Sequence, residues 1–355
     1  MVEPPDLEAL RRHVDTTLNR FLEDKAALAR ALCMPGEVIR ALDDFLAAGG
    51  KRLRPLLCVL GWHAAAGDGP IAPVIQVGAA LEMFHAFVLI HDDVMDNSAT
   101  RRGQPTVHRA LAARHAADRP RASAEHLGAS AAILIGDLAL TWSDELLHTA
   151  GLTPAQLCRV LPVIDRMRTE VMYGQYLDLA ATGRPTADVA RALTIIRYKT
   201  ATYTVERPLH TGAALANATP ATQAALSDYA LPIGEAFQLR DDLLGVFGTP
   251  ETTGKPCLDD LRDGKHTVLL AVAFQSADRD QEQLLRTLIG DPELGEDGAA
   301  RIRKVLVDTG ARATVENMIT SRCDQAQRAL DRGALPPSAT TSLRHLACVA
   351  TVRTT

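Results

Sequence analysis

The chain has 355 residues, of which 47% are hydrophobic, 23% are charged and only 4% are aromatic. This composition supplies a sizeable core, excludes global disorder and, being rich in Ala, Leu and Arg, favours helices packed on helices. The formal net charge of −5 argues against nucleic acid as a partner, and no run reaches the roughly 18 apolar residues of a membrane span. The six cysteines are widely spaced, so we expect reduced thiols in a soluble cytoplasmic protein.

Helical periodicity recurs along almost the whole chain, whereas the alternating pattern of strands is nearly absent. The spacing of apolar residues predicts helices over 71–97, 155–180, 186–215, 221–247 and 299–331. Short segments of Gly, Asp and Pro separate them, and no repeat of fixed period is present. The sequence therefore predicts an all-α protein with a single domain over residues 1–355.

Two stretches interrupt the helical pattern. Residues 113–127 are charged and contain Pro120, which predicts a surface loop. Residues 248–266 contain two prolines and three glycines and predict a longer loop. A loop of that length inside a compact helical bundle is often a functional lid, and we interpret it as one.

A first acidic cluster ends the apolar segment FHAFVLI and consists of Asp92, Asp93 and Asp96. Residues four apart share a face of a helix, so Asp92 and Asp96 stack. Like charges are unfavourable there unless a cation compensates them. Carboxylate oxygens suit Mg²⁺, which completes its shell with water and substrate phosphates. The alternative is a helix whose acidic end simply emerges into solvent.

A second acidic cluster, Asp241 and Asp242 in FQLRDDLLG, also ends an apolar segment. Taken alone, a surface salt bridge to Arg240 explains it equally well. Surface salt bridges do not readily explain two Asp-Asp pairs on two separate helices. Together the pairs predict two groups of carboxylates that face each other and hold several Mg²⁺ ions on a polyphosphate.

Basic residues accompany both acidic clusters. A guanidinium group forks onto phosphate oxygens, and a lysine acts as a mobile point charge. Each basic residue alone fits a solvated surface, so the prediction of phosphate binding depends on their joint occurrence. The cations concerned are Lys51, Arg52, Arg54, Arg101, Arg102, Lys199, Lys255 and Lys265.

The ordered motifs GGKRLRP, HDDVMDNSATRRG, YKTATY and FQLRDDLLG, with a following GK, resemble the trans-isoprenyl diphosphate synthase (polyprenyl synthetase) family. The match covers about residues 45–270, and DDxxD followed by RRG is its most specific part. The resemblance implies an all-α bundle of the isoprenoid synthase type around a central substrate cavity, and a homodimer. It also implies head-to-tail condensation of isopentenyl diphosphate with an allylic diphosphate.

The resemblance implies a role for each matching position. About three Mg²⁺ ions would bind the allylic diphosphate, through Asp92, Asp93 and Asp96 on one side and Asp241 and Asp242 on the other. The side chains that contact this diphosphate directly would be Arg101, Lys199 and Lys255. A pocket for isopentenyl diphosphate, without metal, would be formed by Lys51, Arg54, His85 and Arg102.

Further positions concern the reacting centre. By resemblance it is lined by Thr200 and Gln238, with Gln175 and Asp178 beside the allylic site and Lys265 reaching the phosphates. Positive charge would stabilise the departing diphosphate, while an apolar cavity and a closing lid would keep water from the allylic cation. No strong protein base is evident in the motifs, and the resemblance implies that the released diphosphate takes the final proton.

One position departs from the family pattern, because Gly245 stands where the second motif usually has a third aspartate. The loss weakens one metal interaction, or else a carboxylate of the predicted lid compensates for it. The candidates are Asp259, Asp260 and Asp263.

The residues beneath the first acidic cluster bear on product length. Val88 and Phe87 lie four and five residues before Asp92, one helical turn away, and Phe84 lies a further turn away. A bulky side chain here would form a floor for the growing hydrocarbon, and the pattern resembles that of members that make C20 products. We therefore expect geranylgeranyl diphosphate, with farnesyl diphosphate as the alternative. Phe87 as an ordinary core residue also remains open.

Three other functions are open to this chain. A terpene cyclase shares the fold and DDxxD, but has a different second metal motif and does not need a second diphosphate pocket. A metal-dependent phosphohydrolase could use His91 with His63 or His85, but leaves Arg101, Arg102 and the second acidic pair unexplained. A non-catalytic synthase subunit is expected to have lost its aspartates.

Overall fold

The computed structural model describes residues 5–248, 258–333 and 335–351, most of which are helical. These residues form two compact units. The N-terminal unit comprises Pro5–Val59 and Asp68–Leu157, and the C-terminal unit comprises Leu60–Gly67 and the described residues from Cys158 onward. The all-α prediction is confirmed, while the single domain and the central cavity stay predictions.

The N-terminal unit is organised around helix α4. Its elements are α1 (Leu7–Ala31), α2 (Glu37–Ala47), the first part of α3 (Leu53–Ala64), α4 (Ala72–Met95), β1 (Thr100–Arg101), β2 (Gln104–Pro105), α5 (Val107–Arg114) and α6 (Arg121–His148). Helix α4 packs along α6 and also contacts α1, which is why it is apolar on nearly every side. By length and composition α4 could cross a membrane, but 72% of its most apolar window is buried inside the protein, as in a core helix.

The C-terminal unit is organised around helix α10. Its elements are α7 (Pro154–Ala181), α8 (Val189–Ile195), a π-helix π1 (Ile196–Glu206), α9 (Arg207–Leu215), α10 (Pro220–Phe247), α11 (Asp259–Arg262), α12 (Val268–Ser276), α13 (Arg279–Leu288), α14 (Glu296–Asp308), α15 (Ala311–Asp331) and α16 (Pro337–Thr351). Helix α10 packs against π1 and α15, and its Leu239 and Leu243 join a continuous apolar core. The hydroxyl of Tyr229 donates to the carbonyl of Leu343 at 2.8 Å, which ties α10 to α16.

Three of the predicted helices are confirmed within a few residues, as α4, α7 and α10. The predicted helix over 299–331 is in fact two helices, because Gly310 has a φ of +73°, a left-handed conformation that ends one helix and admits the next. The predicted helix over 186–215 contains the π-helix π1, in which the backbone is wound more widely than in an α-helix.

The predicted loop over 113–127 was too long. Helix α5 continues to Arg114 and α6 begins at Arg121, directly after Pro120. Proline cannot continue a preceding helix but suits the residue before a helix, so Pro120 marks the start of α6 rather than the middle of a loop.

The predicted lid over 248–266 is only partly described. Residues 249–257, with Lys255 in them, lie outside the described residues, and the part from 258 onward contains the short helix α11. The lid therefore stays a prediction, and the described part of it is not an unstructured loop.

Candidate active site

The first acidic cluster lies at the C-terminal end of α4, where Arg101 binds two of its carboxylates. The Nε of Arg101 donates to both oxygens of Asp93 at 2.9 and 2.8 Å, and its Nη2 donates to Asp92 at 3.1 Å. Asp93 is only 1% exposed, and Asp96 caps the helix. Burial alone lowers the pKa of Arg101, but the hydrogen bond and charge of Asp93 and the charge of Asp92 raise it, so the cation is firmly held.

A tight hairpin returns the basic pair to this helix end. Strands β1 and β2 are joined by Arg102 and Gly103, both with positive φ, as two-residue hairpin turns require. Gly103 adopts this conformation without cost, whereas Arg102, at +53°, is strained. The strain marks Arg102 as a residue held in place for more than turn formation.

A second group of cations lies beside α4 around His85. Burial lowers the pKa of His85 well below its usual value, and the charges of Arg54 and Arg102 lower it further. The imidazole is therefore neutral among guanidinium groups. Arg102 also donates to the carbonyl of Gly49, the first glycine of the GGKR motif. The structure thus brings Arg54, His85 and Arg102 together, as predicted for a diphosphate pocket without metal.

The pKa of Arg102 indicates an excess of positive charge around His85. Burial and the neighbouring cations Arg52, Arg101 and Arg54 lower the pKa of Arg102, although Glu82 opposes them. The pocket therefore has an excess of positive charge that a bound anion would relieve. Lys51, which precedes Arg52 in the same loop, belongs to the same cation-rich segment.

Arg52 does not serve as one more phosphate ligand. Its guanidinium donates to Asp15 at 2.7 Å, to Glu82 at 3.0 Å and to the carbonyl of Leu46 at 2.7 Å. Arg52 is 7% exposed and has a φ of +48°. These bonds tie the loop between α2 and α3 to α1 and α4. Sequence reasoning missed Glu82, although an ionisable residue in the apolar stretch AALEMF was a usable signal.

In the C-terminal unit two hydrogen-bonded groups contain five of the predicted site residues. The Nζ of Lys199 donates to Asp178 at 2.6 Å. The hydroxyl of Thr200 donates to the Oε1 of Gln238 at 2.7 Å, and the Nε2 of Gln238 donates to Asp242 at 2.8 Å. Lys199 and Thr200 both lie on π1, an uncommon element that occurs frequently at functional sites.

The carboxylates of the second acidic cluster repel one another. Burial raises the pKa of Asp242 to about 7, helped by the charges of Asp260, Asp241 and Asp178 and opposed by the hydrogen bond from Gln238. Arg240 does not neutralise the pair, because its guanidinium binds Glu316 at 3.0 Å. The alternative explanation of this motif, a surface salt bridge between Arg240 and the acidic pair, is therefore not supported.

Asp260 lies against Gly245, where the family pattern usually has a third aspartate. A β-carbon built on Gly245 would overlap the Oδ2 of Asp260, so this carboxylate occupies the space that a side chain at 245 would need. Lys265, near the end of the predicted lid, pairs with Asp260 at 3.2 Å. Compensation for Gly245 by a carboxylate stays a prediction, and the contact with Gly245 favours Asp260 for it.

The donor set of both clusters fits Mg²⁺. Within residues 5–248, 258–333 and 335–351, no three Asp, Glu, His or Cys side chains converge into a metal site of their own. Mg²⁺ commonly takes one or two carboxylates and fills its shell with water and substrate phosphates, so a three-residue cage is not required. The raised pKa of Asp242 indicates a carboxylate that a cation would stabilise in its charged form.

Aromatic rings lie below the first acidic cluster, as expected. Phe87 is 8% exposed, and its ring centroid lies 5.3 Å from that of Phe84 and 4.7 Å from that of His91. Val88 is only partly buried. The Nε2 of His91 binds the carbonyl of Ile133 at 3.0 Å, which disfavours the interpretation of His91 as a metal ligand of a phosphohydrolase.

Comparison with known proteins adds three findings. A family model described as polyprenyl synthetase matches residues 36–307. A geranylfarnesyl diphosphate synthase of Aeropyrum pernix is 34% identical over 301 residues, which cover 84% of this chain and 88% of that protein. A geranylgeranyl diphosphate synthase of Methanosarcina mazei is 29% identical over 321 residues, covering 90% of this chain and 91% of that protein.

The fold also matches a solved structure. A geranylgeranyl pyrophosphate synthase from Corynebacterium glutamicum, complexed with isoprenyl diphosphate and magnesium, is similar with a TM-score of 0.93 and 40% identity. The match covers 99% of this chain and 100% of that chain.

Proposed function

Because the chain belongs to the polyprenyl synthetase family, we propose that it is a trans-isoprenyl diphosphate synthase that condenses isopentenyl diphosphate head-to-tail with an allylic diphosphate. The observation that carries the proposal is the pairing of two anion sites on α4. The acidic residues Asp92 and Asp93 suit a diphosphate with its metal, while the cation-rich pocket around His85 suits a diphosphate without one. A terpene cyclase has no need of the second site.

The two substrates are held by different groups of residues. Isopentenyl diphosphate binds the cationic pocket of Lys51, Arg54, His85 and Arg102, where the neutral imidazole donates a hydrogen bond and the guanidiniums supply charge. The allylic diphosphate draws Arg101 from Asp93 and Asp92, and Lys199 from Asp178, onto its own oxygens. Lys255 and Lys265 complete this set.

Mg²⁺ fits the carboxylates of both acidic clusters, and when bound it supplies positive charge to the diphosphate that leaves the allylic carbon. About three ions, held through Asp92, Asp93, Asp96, Asp241 and Asp242, would serve one allylic diphosphate. Asp260 adds the carboxylate that Gly245 cannot provide. The magnesium in the Corynebacterium glutamicum structure supports the choice of ion.

The chain of hydrogen bonds on π1 orients polar atoms toward the reacting centre. The hydroxyl proton of Thr200 is donated to Gln238, so the Thr200 oxygen keeps its lone pairs for an electron-poor allylic carbon. The amide of Gln238 is fixed in turn by Asp242. These dipoles are arranged before the reaction, so they stabilise developing positive charge without reorganisation. The released diphosphate takes the proton that ends the cycle.

We assign geranylgeranyl diphosphate as the product, with farnesyl diphosphate as the alternative. Relatives with similar sequence identity are named for products from geranylgeranyl to octaprenyl diphosphate, so sequence similarity alone does not decide the chain length of the product. The buried pair Phe87 and Phe84, one and two helical turns before Asp92, supports a short product because it would block a longer chain. Homodimer formation and a cytoplasmic location are further predictions.

A binding experiment tests the two-site proposal directly. Calorimetric titration in EDTA is expected to show binding of isopentenyl diphosphate, whereas a non-reactive farnesyl thiodiphosphate is expected to bind only when Mg²⁺ is added. Arg54→Gln should abolish the first binding and keep the second. As a control, Arg121→Gln changes an exposed arginine on the same unit and should affect neither. Equal dependence of both ligands on Mg²⁺ would contradict two distinct sites.

A further inference from the structure

Phe87, His91 and Gly136 form a stacked contact between α4 and α6. The ring of Phe87 meets the ring of His91 edge-on, with centroids 4.7 Å apart and planes at 62°. The ring of His91 also lies against the backbone of α6 at Gly136. We propose that His91 and Gly136 are positioning residues that set product length by holding the ring of Phe87. The inference rests on the proposed function and deepens it.

One hydrogen bond and one nearby carboxylate on α6 fix the ring of His91. Its Nε2 lies 3.0 Å from the carbonyl oxygen of Ile133, and because a carbonyl only accepts, this nitrogen carries the proton. The carboxylate of Asp137 lies 3.6 Å from the same nitrogen. The imidazole is thus fixed in one orientation by a helix other than its own.

Gly136 provides the space for that orientation. A β-carbon built on Gly136 would overlap both Cδ2 and Nε2 of His91, so even alanine cannot be accommodated without movement of the ring. The ring is a side chain and can move, so the substitution displaces His91 rather than separating the helices. Since the ring of Phe87 contacts the ring of His91, we expect the displacement to be transmitted to Phe87.

The contact bears on specificity because Phe87 has few other fixed neighbours among aromatic rings. Phe84 holds one side at 5.3 Å and His91 the other at 4.7 Å. Both pairs are within the range of favourable aromatic contact. Removing His91 leaves an unfilled space into which Phe87 can turn, which lowers the floor of the hydrocarbon site. Crowding His91 from Gly136 pushes it toward Phe87 and raises that floor.

The test measures product length in three variants with farnesyl and geranyl diphosphate as primers. His91→Ala is expected to raise the ratio of C25 to C20 product by about tenfold, the scale on which a hydrophobic pocket discriminates small size differences. Gly136→Ala is expected to shift products toward C15. In the double variant the effect of Gly136→Ala should vanish, because no ring remains to be displaced.

Gly128→Ala is a matched control on the same helix. A β-carbon at Gly128 also overlaps its neighbours, but these are the backbone of α5 at His108 and Ala112 rather than His91. This variant should lose thermal stability and keep the product distribution. Unchanged lengths in His91→Ala and Gly136→Ala, or an effect of Gly136→Ala that persists without His91, would overturn the inference. Absence of elongation by the unaltered chain would overturn the proposed function itself, and the inference with it.

Discussion

The Nε of Arg101 donates to both carboxylate oxygens of Asp93, and this pair is almost completely buried. Arg101 therefore neutralises a buried carboxylate that a bound cation could also neutralise. The arrangement also places Arg101 beside the position proposed for a metal-bound diphosphate. When a metal and diphosphate bind, the ion pair between Arg101 and Asp93 would be replaced by other ion pairs, so that no unpaired charge is left in a buried position.

We expect Arg101→Gln to destabilise the metal-free protein by about 3–5 kcal/mol, because it leaves the buried carboxylate of Asp93 without its cation. Added Mg²⁺ should recover part of this loss and should raise the melting temperature more than it does for the unaltered chain. Thermal unfolding in EDTA and in Mg²⁺ measures both effects. Arg121→Gln, which breaks the exposed pair with Glu125, serves as control and should change little. An equally small effect at Arg101 would contradict the account.

The bonds of Arg52 predict an effect on only one of the two substrates. Arg52→Gln releases the loop that carries Lys51 and Arg54, so we expect the KM for isopentenyl diphosphate to rise by about tenfold or more. The KM for the allylic substrate should stay within about twofold. Arg52→Lys keeps the charge but not all three hydrogen bonds, so its KM for isopentenyl diphosphate should lie between those of the unaltered chain and Arg52→Gln. Arg12→Gln, at an exposed arginine of α1, is the control. A parallel rise in both KM values would indicate general misfolding instead.

The raised pKa of Asp242 makes stability depend on pH in a defined direction. The pKa is about 7 in the folded protein and 3.8 as the reference for the unfolded chain, so the folded state binds the extra proton between these values. Stability therefore falls as pH rises from about 4 to about 7. Asp242→Asn removes the ionisation, so in EDTA we expect this variant to be more stable than the unaltered chain at pH 8 and to lose that advantage at pH 5. Melting temperatures that do not depend on pH in this way would refute the buried acidic cluster.

The position of Asp260 predicts that restoring the family pattern at 245 is harmful. Gly245→Asp places a β-carbon where the Oδ2 of Asp260 lies, and it brings a second carboxylate close to that of Asp260, so that the like charges repel. We expect both thermal stability and kcat to fall, and Gly245→Asp combined with Asp260→Gly to recover part of the loss. Steady-state rates at saturating Mg²⁺ measure this. An active single variant with undiminished stability would show that Asp260 does not fill the vacant position.

Local patterns predicted the elements that carry the site but not the contacts between them. Periodicity identified α4 and α10, and the motif order identified the aspartates that end them. Arg52 and His91 depend on partners 30 or more residues away in the sequence. The position of Asp260 depends on the missing side chain at Gly245. Local spacing predicts neither kind of contact. The π-helix was also missed, because the periodicity of its apolar residues did not distinguish it from an α-helix.

The central claim is tested most directly by incubating the protein with Mg²⁺, isopentenyl diphosphate and, in separate reactions, dimethylallyl, geranyl or farnesyl diphosphate, and then sizing the dephosphorylated products. The account predicts elongation with each primer and a dominant C20 alcohol. A dominant C15 or longer product would keep the condensation and remove Phe87 as the floor. Diphosphate release without elongation, or no turnover in any reaction, would contradict the assignment as a synthase.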